Sequence, residues 1–442
     1  MTQDTFDRGV RVFRGTRDYF GDVARRRLRI ISTIEETFKQ FGFEPLITPA
    51  IENDRTLKGK YGEEGEANRY KLALIYPDEA GLRYDHTVPL ARFLAINGDN
   101  LLKPYRRYAI GPVWRNENPS AGRLREFVQC DFDTAGSSSP VVDAEIAAIF
   151  SMVLNRLGFP PIWTIQINDR RLLNAMVQPI GVPEDKVVEI FRAWDKLEKV
   201  SLQEISLELT KKGLSPEQVS RFTSLTKKLQ QASIDKSLSS LIDIFGRSVA
   251  KPVEDLKNLC KYIEAMGVSS KSYAVVPTLA RGLDYYTGPI FELVAEKGIG
   301  SIAGGGRFDN LVKALGGPDL PASGASFGLE RLMAVLDQLQ VETPTGGTDI
   351  LVTLWDPNNL PLTQATFKIA NSLRLDGINV EVYTGNSSKL AKQLEIANKK
   401  GIPFSLIIGP DEFSSGNAII KDMETGSQIV CKISEVGNYF KN

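Results

Sequence analysis

The stretch that most constrains how this chain can fold is YRRYAIGPVWRNENPSAGRLREFVQCDFD, from Tyr105 to Asp133. Two β-prone runs, Tyr108 to Arg115 and Arg123 to Asp133, flank a polar break from Asn116 to Gly122 that carries Pro, Gly, Ser and Asn. This pattern predicts an antiparallel hairpin with a long loop. Side chains alternate across a strand. In the second run Leu124, Val128, Cys130 and Phe132 therefore share one face, with Glu126 the exception, and Arg123, Arg125, Phe127, Gln129 and Asp133 share the other. The first face suits a core. The second offers guanidinium groups, an aromatic ring, an amide and a carboxylate, a set suited to a polar, anionic and partly flat ligand. A salt-laced solvent face of a sheet would carry the same residue types, and the residues alone leave both readings open.

At 442 residues the chain is long enough for two or three domains, each with its own core. Its 54 basic and 54 acidic residues cancel, so a nucleic-acid partner would need a local basic surface. Cys130, Cys260 and Cys431 are scattered without a pairable or metal-ligand spacing, which fits a reducing compartment. No segment approaches the roughly 20 apolar residues of a membrane span, and the start MTQDTFDRG lacks the apolar core of a signal peptide. A cytoplasmic protein with no membrane partner is the expectation. The only histidine is His86. This argues against His-rich zinc sites and Ser-His-Asp catalysis, and leaves chemistry to carboxylates, Arg, Lys, Tyr and bound metal.

In chain order, Leu28, Ile31, Phe38 and Phe41 recur at helical spacing over Val23 to Phe41, and Phe43 to Ile47 reads as a strand. In GLRYDHTVPLAR, a strand would point Arg83, Asp85 and Thr87 the same way, placing a carboxylate beside a hydroxyl as acceptors for an ammonium group. A surface strand end is the plainer reading. His86 would face the opposite side and reads as structural. Pro140 to Leu157 is a predicted helix, Trp163 to Asn168 a strand, and about 170–266 a helical insertion with lysine-rich faces that suit a solvated surface. Strand signals resume in SYAVVPTLARGLDYYTGPIFELVA, with Arg281 and Tyr285-Tyr286 around Gly282 and Asp284. The three glycines of IAGGGRFDNL allow a close approach by a ligand or a neighbouring strand. GASFGLERLMAVL enters a helix near Leu329, so Arg331 falls in a first turn where an anion is favoured and a bare cation is not. After the linker VETPTGGTD, strand and helix alternate from Asp349 onward, predicting a small α/β domain with a parallel core and an antiparallel edge.

TPAIE, VWRNENPSAGRLREF and GASFGLERL together resemble the three signatures of class II aminoacyl-tRNA synthetases, and RGLDYYTG and AGGGRFD are similar to two peptides peculiar to the histidyl-tRNA synthetase family. The resemblance runs from about Arg14 to the C-terminus. It implies an α+β fold, an antiparallel sheet with flanking helices over 1–335 with a helical insertion at about 170–266. A linker at 336–348 and an anticodon-binding α/β domain at 349–442 would follow. It implies a homodimer that joins L-histidine to tRNA(His) through an adenylate made from ATP with Mg²⁺, and no catalytic histidine. By the family pattern Arg115 and Arg281 are catalytic cations on the α-phosphate. Glu117, Arg123, Phe127 and Arg331 complete the ATP site. Asp85, Thr87 and Gln129 hold the amino group of histidine, Asp133, Tyr285 and Tyr286 lie toward its ring, and Arg281 also meets its carboxylate. The alternative is a non-catalytic regulatory paralogue that binds histidine or a partner enzyme; another class II synthetase is a second rival.

Overall fold

The computed structural model describes residues 11–72, 79–120, 122–198, 200–234, 238–280, 285–295, 300–341 and 347–440. The chain divides into two compact units, Met1–Asp18 with Ile30–Thr343, and Tyr19–Arg29 with Pro344–Asn442. Among the described residues no helix is long and apolar enough to cross a membrane.

The larger unit is built on an eight-stranded sheet. Across it the strands run Glu44–Pro45, Tyr105–Trp114, Glu126–Ala135, Ala322–Gly328, Ser301–Arg307, Pro289–Ala295, Trp163–Asp169 and Tyr273–Val275. The outermost pair at each edge is parallel and every pair between is antiparallel. The predicted hairpin is there, with Arg107 opposite Asp133, Ala109 opposite Asp131 and Gly111 opposite Gln129. On its apolar face the ring of Phe132 meets Phe38 at 5.0 Å, Phe43 at 5.7 Å and Phe150 at 6.2 Å. Phe38 comes from the helix Gly21–Gln40 and Phe150 from the helix Pro140–Arg156, whose apolar stripes cover this side of the sheet. Burying such rings is what holds the sheet against the helices.

Two sequence expectations shorten here. Leu28 is 66% exposed rather than part of the stripe, because burial on that helix begins at Ile30. The strand expected over Phe43 to Ile47 is confined to Glu44–Pro45. From Arg170–Val177 to Ala250–Ala265 the described chain is helical, with short turns between, and its apolar residues join the same core as the sheet.

The glycine run serves strand packing. A Cβ on Gly305 would lie 2.3 Å from both the Cβ of Ala325 and the carbonyl oxygen of Gly324. Glycine is needed because a neighbouring strand occupies the space a side chain would take.

In the smaller unit the strand order is Val380–Val382, Ile350–Val352, Phe404–Ile407, Asn417–Asp422 and Gln428–Lys432. The first three are parallel and the last two antiparallel, as the alternation predicts. The helices Leu360–Leu375 and Leu390–Lys399 supply the crossovers, and Ile350, Val352, Leu373, Leu406 and Ile420 sit in the core. Two short helices, Pro410–Ser415 and Val436–Tyr439, were not foreseen, since neither is long enough to show a period.

Gly305→Ala should therefore lower the stability of the larger unit by about 1–3 kcal/mol through overpacking, read as a shift of its urea-unfolding midpoint at unchanged slope.

Candidate active site

A cavity of about 340 Å³ opens on the polar face of the sheet. Its wall contains Asp85, Thr87, Arg115, Glu117, Arg123, Phe127, Gln129, Asp133, Tyr285, Tyr286 and Arg331. Every site residue named from the sequence is thus brought together except Arg281, which lies outside the described residues.

Some of them arrive by a different route from the one predicted. The strand Ala80–Leu82 ends before Arg83, and Thr87 opens the helix Thr87–Asn97. Asp85 turns into the cavity because its Oδ1 accepts the N–H of Val88 at 3.0 Å, capping that helix. Arg83 points elsewhere, donating to the carbonyls of Pro112 and Thr48 at 2.9 Å each. The second hairpin strand begins only at Glu126. Outside its alternation, Leu124 lines the cavity instead of the core. Arg125 leaves the site, its guanidinium 5.6 Å from the Phe13 ring and its Nε donating to the carbonyl of Glu117. His86 is structural, as expected. Its Nε2 lies 3.1 Å from the Gly111 carbonyl, and burial pushes its pKa down to about 3, so the ring is neutral.

One end of the cavity is cationic and aromatic. The Arg115 guanidinium carbon lies 4.4 Å from the ring centre of Tyr84 and 5.1 Å from that of Phe127, while its Nε donates to the Tyr84 carbonyl at 3.2 Å. A cation held by two rings and a hydrogen bond is pre-positioned. Arg123 pairs with Glu117 beside it. Arg331, in the first turn of the helix Leu329–Gln338, donates from Nη1 to the Ser301 carbonyl at 3.0 Å. Glu330, next to it, accepts the N–H of Val128 at 3.0 Å and ties this helix to the hairpin.

The other end is acidic and deeply buried. Asp85, Asp131 and Asp133 all line it, backed by Arg107, whose Nη2 is 2.7 Å from Asp133 Oδ2. That ion pair lacks hydrogen-bond alignment, so Oδ2 keeps its capacity to accept. Gly324 makes room for Asp133, since a Cβ there would fall 2.1 Å from Asp133 Oδ1. Burial raises the pKa of Asp85 to about 6, against the pull of the Val88 N–H. Burial likewise raises Asp133 and Asp131, opposed in each case by Arg107. Tyr285 and Tyr286, their rings 5.1 Å apart edge to face, are held above the ordinary phenol range by burial and remain O–H donors at neutral pH. Asp131, Arg107 and Glu330 were missed from sequence. The alternation that singles out Gln129 and Asp133 passes through Asp131 as well, whereas Arg107 becomes visible only once the register is known.

A sequence model described as histidyl-tRNA synthetase matches residues 15–332, and one described as an anticodon-binding domain matches residues 351–442. The chain belongs to the histidyl-tRNA synthetase family. Among curated histidyl-tRNA synthetases, a histidine–tRNA ligase of Gloeobacter violaceus is 37% identical over 96% of each chain. That of Paracoccus denitrificans is 38% identical over 95% of this chain and 91% of its own. The crystal structure of histidyl-tRNA synthetase from Nostoc superposes with a TM-score of 0.82 at 28% identity, covering 99% of both chains. The large antiparallel-rich sheet with flanking helices and the C-terminal anticodon-binding domain are those of a histidyl-tRNA synthetase.

Titration of Asp85 carries a stability prediction. A raised native pKa means the native state binds more protons than the unfolded chain, so stability falls as pH rises from about 4 through about 6. Asn can also cap a helix. Asp85→Asn should gain on the parent protein across that window, by up to about 3 kcal/mol, and the gain should level off above it; denaturant unfolding of the ligand-free protein at pH 4.5 and 7.5 measures it.

Proposed function

We propose that this chain is a histidine–tRNA ligase, which condenses L-histidine with ATP to histidyl-adenylate and transfers the histidyl group to tRNA(His). The observation that carries this reading is one cavity with a cationic, aromatic end suited to a nucleotide and an acidic end suited to an amino acid with a polar ring. In a chain that also carries the anticodon-binding domain, it favours the ligase over the regulatory paralogue.

In the first step a carboxylate oxygen of histidine attacks the α-phosphorus of ATP. A C–O–P linkage forms, the bond from the α-phosphorus to the bridging oxygen breaks, and pyrophosphate leaves with that electron pair. Two anions must meet, so the protein contributes neutralisation and in-line positioning. Arg115 takes the α-phosphate, fixed by the rings of Tyr84 and Phe127. Phe127 stacks on adenine, Glu117 and Arg123 complete that side, and Arg331 takes the γ-phosphate. Arg281 would meet the α-phosphate and the substrate carboxylate on the family pattern. Asp85, Thr87 and Gln129 receive the ammonium group, with Asp133, Tyr285 and Tyr286 at the ring end. No side chain needs to act as nucleophile, because the substrate's own carboxylate is one. In the second step a hydroxyl of the terminal ribose of tRNA attacks the carbonyl carbon and AMP departs.

Among the described residues no three side chains form a ready metal site. Mg²⁺ would enter with the phosphates, as it commonly does, and Glu330, next to Arg331 in the cavity wall, would hold it. When bound, the ion neutralises phosphate charge. Class II chemistry, a homodimeric assembly and a cytoplasmic location belong to the same reading, as does contact between the lysines of the segment Lys389 to Lys400 and the tRNA backbone.

Pyrophosphate exchange into ATP, assayed with each amino acid, tests the reading. Exchange should depend on histidine; exchange with another amino acid only, or with none, would overturn it. Arg115→Ala should lower the histidine-dependent rate at saturating substrates by about 10²–10³-fold.

A further inference from the structure

The Tyr84 ring, whose centre lies 4.4 Å from the Arg115 guanidinium carbon, meets a second ring, that of Tyr61, at 4.6 Å with 39° between the planes. Tyr61 stands outside the cavity wall and is 4% exposed. Its hydroxyl finds no hydrogen-bond partner among the described residues. An unpaired buried hydroxyl is costly, so the favourable contact of Tyr61 is the one its ring makes. Resting on the reading of Arg115 as the cation at the α-phosphate, we propose that Tyr61 is a positioning residue for adenylate formation, acting on Arg115 through Tyr84.

Tyr84 needs such support. It stands in the connection between the strand Ala80–Leu82 and the helix Thr87–Asn97, outside both. Arg115 depends on it twice, through the ring and through the carbonyl that accepts its Nε at 3.2 Å. A shift of Tyr84 therefore carries the guanidinium with it. A well-placed aromatic pair is worth about 2- to 10-fold in an equilibrium, enough to hold the one arrangement of Tyr84 that presents Arg115 to the cavity.

The fold provides for this contact. Tyr61 immediately precedes the helix Gly62–Ala67, and a Cβ on Gly65 in that helix would lie 2.4 Å from the Cβ of Tyr61. Glycine there gives the Tyr61 side chain its place. Arg69 fixes the segment, donating to Asp54 at 2.7 Å and to Glu66 at 2.9 Å, while Glu66 also accepts the Gly59 N–H at 2.7 Å. The same segment reaches the hairpin, where the Asn68 carbonyl accepts the N–H of Asn116, the residue after Arg115, at 2.8 Å. Arg115 is thus braced from this segment near its backbone and, through Tyr84, at its guanidinium. Tyr61 and Tyr84 also share a buried cluster with Leu57 and Val88. A residue that served only that cluster would act whether or not Arg115 were present, and this separates the two roles.

Pyrophosphate exchange at saturating histidine and ATP tests the proposal in a double-mutant cycle with Arg115→Ala. With Arg115 present, Tyr61→Leu should lower the rate about 3- to 10-fold, while the KM for histidine changes by less than about twofold. In the Arg115→Ala background the same substitution should change the rate by less than about twofold. Tyr61→Phe keeps the ring and should restore the rate to within about twofold of the parent protein. It should also melt no lower, because the hydroxyl it removes is buried and unpaired. Equal losses with and without Arg115 would make Tyr61 a core residue and overturn the proposal. A parent-like rate for Tyr61→Leu, or a loss for Tyr61→Phe as large as for Tyr61→Leu, would overturn it too. If Tyr61→Leu melts below the assay temperature, Tyr61→Met, which fills more of the space, takes its place in the same cycle. A parent protein with no histidine-dependent exchange removes the ligase reading, and an Arg115→Ala variant at the parent rate removes the reading of Arg115; either takes the proposal with it.

Discussion

The larger unit depends on the two-residue period of one hairpin. Cys130 and Phe132 are drawn into the layer of rings formed by Phe38, Phe43 and Phe150, and burying them leaves the alternate residues no choice of side. Gln129, Asp131 and Asp133 must then face the cavity. A slip of one residue would put carboxylates into the aromatic layer and rings into the cavity, so the register is held by both faces at once. The pairing of Arg107 with Asp133 across the strands adds a charge contact that any other register would break.

The same unit treats buried charge in two ways. Behind the sheet, Arg307 spends its donors on Asp143, Asp309 and the carbonyls of Ser137 and Ser139. That arrangement ties each nitrogen of Arg307 to an oxygen and joins the glycine-rich strand to the helix Pro140–Arg156. In the cavity, Arg107 lies near Asp131 and Asp133 and Arg115 near Asp85, and all three carboxylates are raised by burial with acceptors to spare. A cluster of this kind lowers the stability of the empty protein. It suits a cationic ligand, and it shares the cavity wall with Tyr285 and Tyr286.

The cationic end follows the opposite rule. Arg115 is fixed by two rings and a carbonyl before any ligand arrives, and Arg331 is anchored to Ser301 across the glycine-rich strand. Holding cations in place beforehand saves the reorganisation that flexible side chains would need when phosphates bind. The two ends differ because prepositioned cations suit an anion, while acceptors left open suit a ligand that brings N–H groups.

Much of this was legible in the sequence, for reasons that differ by element. Period two marked the hairpin and period 3.6 the helices, and both survive because each is set by one buried face. The α/β alternation after Asp349 was readable for the same reason. Motif resemblance named Asp85 and Thr87, yet the strand drawn through them was wrong: a side-chain cap at Asp85 starts a helix there, and such a local hydrogen bond outweighs the pattern of a short segment. Leu124 and Arg125 broke the alternation because the strand had not yet begun. Asp131 lay in plain view of the period. What only the tertiary structure decided was neighbourhood. Small residues at Ala109 and Ser326 open space over Asp131, while Arg107 and Gly324 close around Asp133. Periodicity assigns a side chain to a face, but the register of strands distant in sequence decides what stands beside it.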